Sequence, residues 1–333
     1  MPMLAAVFDG KNVSLREDME VPKINKDNEV LIKVKAVGIC GTDLSILKGT
    51  YQIPVPRILG HEFSGVVSEI GKKVTNFQIG DRVTSEINLT CGACYFCKAG
   101  QKTQCTSRRA MGIDEDGAFA KYIKVPESNL YNIHDLPFEE ATFIEPLAAA
   151  IQTFEMAPLK ESDKTVVILG AGKLGLLILQ VVKNKGRKAI VIGRSHLELA
   201  KKLGADLTLS VVKDKEPVRR VMEETKIGAD VVVEATGTPE SLDLALSLVR
   251  NRGTVNLKST HGIRWMMDPT QLVVHEIKLQ GSRCGPFPPA IQMIEQGSVH
   301  VMDLISATYP LTKISEAVDA AMKPESVKII ITP

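Results

Sequence analysis

Two kinds of hydrophobic spacing divide the chain. In the first 135 residues apolar and polar positions alternate in short runs. Val30, Ile32, Val34 and Ala36 interleave with Leu31, Lys33, Lys35 and Val37, the two-residue period of a strand. Gly65–Ile70, Asp81–Thr84 and Ala118–Val125 read the same way, with turns at Pro54, Pro56, Gly71 and Gly80 between them. No long helical period precedes Pro137, so this part is predicted to be a small barrel-like β domain with loops.

From about Glu145 the pattern changes. In Lys164–Gly175, KTVVILGAGKLG, the apolar run Val166, Val167, Ile168, Leu169 reads as a strand buried on both faces; after the glycines, Leu174, Leu177, Ile178 and Val181 recur at helical spacing. Further strands are predicted at Lys188–Ile192, Asp206–Leu209, Ala229–Glu234, Thr254–Leu257 and Ile277–Gln280, with helices in the gaps. One helix is expected to open at Thr238-Pro239, where Thr can cap and Pro suits the first turn. Such alternation predicts an α/β doubly wound parallel sheet. After Gly281 the series stops. Ile314, Ala317, Val318 and Ala321 mark a helix, and Val327–Thr332 a final strand expected to return to the first domain. The predicted division is 1–146 with 282–333, and 147–281, with the cleft between the domains as the expected site.

Composition changes this picture little. A chain of 333 residues with 44% hydrophobic and 24% charged residues is an ordinary globular protein of about two domains. A net charge of +2 gives no reason to expect nucleic acid or a membrane surface as partner. The N-terminal stretch lacks a signal-type apolar core and no run is long enough to span a bilayer, so a cytoplasmic location is expected.

Three groups of residues carry chemistry. Gly170, Gly172 and Gly175 stand at G-x-G-x-x-G spacing between a strand and a helix. There the first glycine allows a tight turn, the second lets a pyrophosphate approach the backbone, and the third lets helix and strand pack closely. Gly170, Gly172, Lys173, Leu174 and Gly175 are the expected cofactor contacts. Cys91, Cys94, Cys97 and Cys105 place four of the six cysteines within fifteen residues. Four soft thiolates suit a closed tetrahedral zinc that pins a loop, in preference to an iron–sulfur cluster or a set of buried cysteines. The third group is dispersed: Cys40, the pair His61-Glu62, and Glu145. Cys, His and carboxylate make a catalytic zinc set when they meet, but spacing alone leaves this open, since Cys40 could be core and Glu145 a helix cap.

The motifs GICGTD (38–43), GHEFSGVV (60–67), the four-cysteine lobe (91–105), EPLAAA (145–150) and GAGKLG (170–175) occur in the order found in zinc-dependent medium-chain alcohol dehydrogenases, which the chain resembles over its whole length. The resemblance implies a GroES-like β-barrel catalytic domain, a Rossmann domain and two zinc ions per subunit. It carries catalytic zinc ligation onto Cys40, His61 and Glu145, with Glu62 as an alternative or exchanging ligand. Glu at 145 resembles the polyol and threonine dehydrogenase branch. The implied reaction passes a hydride between an alcohol and nicotinamide, with Thr42 at the family's Ser/Thr proton-relay position. The family's relay histidine, five residues after the cysteine, is here Ser45, so proton release is expected to run through water. The resemblance also implies a small alcohol or carbonyl substrate and a homodimer or homotetramer, with 254–280 as the candidate contact surface.

Cofactor choice is read from the residues. The strand Lys188–Ile192 runs into Gly193-Arg194-Ser195-His196, with no acid to bond the ribose hydroxyls. Arg194 can pair with a 2′-phosphate and Ser195 can donate to it, so NADP(H) is expected over NAD(H). Ala235 and Thr236 end a predicted parallel strand, Lys258, Ser259 and Thr260 follow the next, and Arg283 follows the last; these are the softer cofactor contacts. Cys284 and Trp265 read as packing, and His134, His196, His261, His275 and His300 belong to no motif. Two alternatives remain: a zinc-free quinone or enoyl reductase, and a nucleotide-binding regulatory protein on the same fold.

Overall fold

The computed structural model describes residues 2–214, 216–260 and 263–333; His261 lies outside them. The chain forms two compact units, Met1–Glu145 with Val301–Pro333, and Pro146–His300. The change of pattern placed the return at 282, but the second unit keeps the chain to His300. Gly285 packs against the Ala148 carbonyl, Asn184 Nδ2 donates to Ser298 O at 2.7 Å, and the His300 N–H donates to Gln180 Oε1.

The first unit is built around the strand Glu29–Gly38. It pairs antiparallel with Glu62–Ile70, with Tyr122–Pro126 and with the C-terminal strand Lys328–Thr332. Val30, Ile32 and Val34 face a core that also holds Ile329, Ile331 and, from the helix Ile314–Ala321, Ile314 and Ala317. Register matters most at the end of this strand. Gly38 stands opposite both Glu62 and Ile330, so Cys40, two residues on, comes down beside His61. Two elements fall outside the expectations above: the short helix Gly41–Leu47, and the strand Ile305–Pro310, whose residues alternate between half-buried and exposed.

The second unit contains a six-stranded parallel sheet in the spatial order Leu207–Ser210, Lys188–Gly193, Thr165–Leu169, Ala229–Glu234, Val249–Leu257, Lys278–Gly281. This is the doubly wound order, which reverses beside Thr165–Leu169. Val166–Leu169 is buried throughout because helices cover both faces. The helix expected at Thr238-Pro239 begins at Ser241 instead. Thr238 does not cap it: its N–H donates to Thr236 Oγ1 and its carbonyl accepts from the Ser241 hydroxyl. No helix among the described residues is long and apolar enough to cross a membrane.

Candidate active site

Cys40, His61 and Glu62 each bring a ligand atom within 4.8 Å of the others. Cys40 precedes the helix Gly41–Leu47, whose third residue, Asp43, accepts the Cys40 N–H at 2.8 Å and the Gly60 N–H at 3.3 Å. One fully buried carboxylate thus ties the cysteine turn to the histidine turn. Asp43 Oδ1 lies 3.7 Å from His61 Nδ1, too long for a hydrogen bond, and that buried nitrogen has no hydrogen-bond partner. Burial disfavours the charge on His61, yet Asp43, Cys40 and Glu145 outweigh it and raise its pKa well above the ordinary histidine range. Burial likewise pushes the Asp43 carboxyl up. A thiol, an imidazole and carboxylates brought together in this way are a donor set that fits zinc. Glu145, at the start of the helix Ile144–Met156, acts on His61 through its charge but is not one of the three residues that converge. Thr42 lies half-buried in the first turn of the Gly41–Leu47 helix, and Ser45 lies half-buried one turn on.

Glu62 has a partner that spacing could not reveal. Lys328, the first residue of the C-terminal strand, forms an ion pair with Glu62 Oε2, both side chains being fully buried. The ammonium lies 3.4 Å from Thr142 O and 4.8 Å from the Phe143 ring centroid. Its slot exists because residue 38 is glycine; a Cβ there would overlap the Lys328 side chain.

The second metal candidate is the lobe at 91–105. Cys91 Sγ lies 3.5 Å from Cys105 Sγ and 4.0 Å from Cys97 Sγ, and all four sulfurs lie within 4.8 Å of one another. A tetrahedral zinc with bonds of about 2.3 Å needs sulfur–sulfur edges of about 3.8 Å. Backbone N–H groups point at the sulfurs, as from Cys94 to Cys91 Sγ and from Cys91 to Cys105 Sγ. N–H groups of Cys97 and Thr106 lower Cys94 to about 6, whereas burial, with neighbouring thiols, pushes Cys97 up to about 11. Four thiolates at this spacing need a cation to ionise together, so this lobe also fits zinc.

In the second unit the glycine turn is shaped for close approach. Gly170 has φ +101°, and a Cβ on it would meet Ala235 O; a Cβ on Gly175 would overlap the Gly170 carbonyl. Beside Gly172 there is open space, which fits a pyrophosphate against the backbone at the start of the helix Lys173–Asn184. Lys173 and Leu174 form the first turn of that helix. Gly193 packs against Ala171, and Arg194 and Ser195 follow it exposed. Thr236 is exposed beside the same glycine turn. Lys258 is placed differently from expectation: its buried ammonium donates to Ala149 O at 2.9 Å, Ser282 Oγ at 3.0 Å and Ser282 O at 3.2 Å. It ties strand ends to a helix rather than presenting a free cation to a cofactor. Arg283 lies 3.9 Å from Cys284 Sγ. The Trp265 indole N–H donates to Asp243.

Comparison with known proteins accords with this geometry. Residues 26–135 match the family model of the alcohol dehydrogenase GroES-like domain, and 174–296 that of the zinc-binding dehydrogenases. The chain is 35% identical to D-arabitol-phosphate dehydrogenase of Enterococcus avium, covering 94% of this chain and 92% of that one. A structure from Sinorhizobium meliloti 1021, bound to NADP, superposes with a TM-score of 0.92 at 30% identity over the whole of both chains. An alcohol dehydrogenase from Escherichia coli CFT073, complexed with NADH, gives 0.91 at 28% identity over 99% of each.

Proposed function

This chain belongs to the zinc-type medium-chain dehydrogenases/reductases and is an NAD(P)-dependent oxidoreductase of alcohols or polyols; on that premise we propose that it uses NADP(H), holds two zinc ions per subunit and acts as a homodimer or homotetramer on a polyol-class substrate. The cofactor reading rests on the turn after Lys188–Gly193, where exposed Arg194 and Ser195 stand and no carboxylate does. A guanidinium pairs with a 2′-phosphate that a carboxylate would repel. Gly170, Gly172, Lys173, Leu174 and Gly175 take the pyrophosphate, and Ala235 and Thr236 border the nicotinamide half.

Cys91, Cys94, Cys97 and Cys105 hold the structural ion. Cys40 and His61 hold the catalytic one, with Glu145 as the carboxylate ligand while Lys328 retains Glu62. Bound there, zinc supplies Lewis acidity toward a substrate oxygen, and the nicotinamide accepts or returns a hydride. Asp43 fixes the turns that carry Cys40 and His61. Thr42 passes the substrate proton on, and with Ser45 at the relay's usual histidine position that proton leaves through water.

The assembly reading is supported by the sheet edge at Lys278–Gly281 and by Met266, Val273 and Val274, which precede it in the chain and are 93%, 75% and 66% exposed. An open sheet edge and exposed apolar side chains are features that a second copy can cover. The substrate class follows the polyol phosphate on which the E. avium relative acts.

The test is reduced-nicotinamide absorbance across alcohols, polyols, polyol phosphates and 3-hydroxy acids, each with NADP⁺ and NAD⁺. Turnover of polyols with NADP⁺ preferred is the expected result. Preference for NAD⁺, or a selectivity that Arg194→Asp leaves unchanged, sinks the 2′-phosphate assignment.

A further inference from the structure

The strand Ala229–Glu234 ends in a carboxylate that is 1% exposed. Its Oε1 accepts the Thr236 backbone N–H at 2.7 Å and the Thr236 hydroxyl at 2.7 Å, and shares with Thr238 O the proton of the Ser241 hydroxyl, 2.8 Å away. The Ser259 hydroxyl is a fourth donor to the same carboxylate, and Ser259 Oγ itself accepts the Gly237 N–H at 2.8 Å. Glu234 therefore knots together two loops, one after Ala229–Glu234 and one after Val249–Leu257. Burial disfavours its charge, but these donors outweigh the burial and hold the carboxyl below the ordinary glutamate range. It is anionic at neutral pH. All four donors are neutral, so they solvate the charge without cancelling it; the Lys258 ammonium, which follows the neighbouring strand, donates to Ala149 and Ser282 and is common to wild type and the Glu234 variants.

The strand order places this anion. A dinucleotide crosses a doubly wound sheet where the order reverses, beside Thr165–Leu169. One half lies over the end of Lys188–Gly193, where Arg194 stands. The other half, the nicotinamide, would then lie over the ends of Ala229–Glu234 and Val249–Leu257. The glycine turn and the residue after Glu234 are in contact, as the Gly170–Ala235 approach shows. The nicotinamide ring carries a unit positive charge when oxidised and none when reduced. A fixed anion buried on that side attracts one form and not the other, and burial leaves the attraction weakly screened.

We propose that Glu234 sets the relative affinity of the site for the two redox states of the cofactor, favouring the oxidised form. This rests on the dinucleotide reading of the Gly170–Gly175 turn. Were Glu234 only a knot between loops, its removal would weaken both forms alike.

The experiment measures Kd for the oxidised and the reduced cofactor without substrate, by calorimetry and by nicotinamide fluorescence. Glu234→Gln keeps an oxygen for the three Oε1 donors and removes the charge. The oxidised form should weaken by about three- to tenfold and the reduced form by less than about twofold. Equal changes in both overturn the inference. Should that variant fail to fold, Glu234→Ala and Glu234→Asp replace it. Both lose the full side-chain length but only Asp keeps the charge, so the ratio must move in Ala and stay in Asp; a ratio that moves in both or in neither also overturns the inference. Wild-type protein that binds neither form overturns the dinucleotide reading itself, and this inference with it.

Discussion

The two metal candidates of the first unit are assembled in opposite ways. At 91–105 four like ligands come from one short loop, and turns alone bring their sulfurs within 4.8 Å. At Cys40, His61 and Glu62 the candidate donors are unlike, lie on two strand ends, and meet only because Gly38 is in register with Glu62. The lobe carries its own coordination geometry, whereas the dispersed site borrows its geometry from the sheet. The supports differ accordingly. Backbone N–H groups from within the lobe itself, 14 and 3 residues away, point at its sulfurs. Asp43 and Lys328 support the dispersed site, and Lys328 is 266 residues from Glu62. A local site is expected to tolerate changes in the fold and to fail alone; a dispersed one fails when the sheet around it shifts.

Substitutions can break that comparison. The largest effect is expected from His61→Ala, which removes a donor of the dispersed site. Turnover should fall by about a thousandfold or more, equivalent to ~4 kcal/mol in the barrier. Metal analysis should show one zinc per subunit lost and the lobe zinc kept; loss of both ions would mean that the two sites are not independent. Cys94→Ser is the mirror image. It should remove the lobe ion and destabilise the fold by about 4 kcal/mol, while the enzyme retains its other zinc and measurable turnover at low temperature.

Lys328→Met tests remote support. Leaving the Glu62 carboxylate buried without its cation should cost about 3 kcal/mol in a denaturant titration. Lys328→Met with Glu62→Gln should recover most of that loss, and a double variant no more stable than the single one would show that the pair is not what holds the strand. The smallest effect is expected at Ser45. Ser45→His should add a histidine-like limb to the pH–rate profile below neutral pH, where protonated imidazole no longer accepts the substrate proton. An unchanged profile removes this position from the proton route.

Legibility follows the same division. The run Val166–Leu169 with Gly170, Gly172 and Gly175 is a strand, a turn and a helix start in consecutive residues, so its periods and glycines announced it. The Cys91–Cys105 spacing was equally direct. Asp43 was not distinguishable from an ordinary helix-opening acid, nor Glu234 from any strand-end residue, because their meaning lies in the groups that point at them. The Lys258 position was predicted correctly as following a strand, but its ammonium turns inward to Ala149 and Ser282, a choice set by packing. The Thr238 cap failed because Thr238's own N–H donates to Thr236 Oγ1 and its carbonyl accepts from the Ser241 hydroxyl, and the helix opens only at Ser241.

By itself the sequence determined everything encoded within a few residues: the strand and helix periods, the glycine turn, the thiolate lobe and the acid-free Gly193–Ser195 turn. Local spacing fixes local geometry, since φ and ψ of neighbouring residues decide how near they come. Only the tertiary structure decided which distant groups share a buried volume. It brought Cys40 beside His61, set Lys328 against Glu62 and gave Glu234 its donors. A charge removed from water must find partners wherever the chain can supply them, and that supply is a property of the packed sheet rather than of any stretch of sequence.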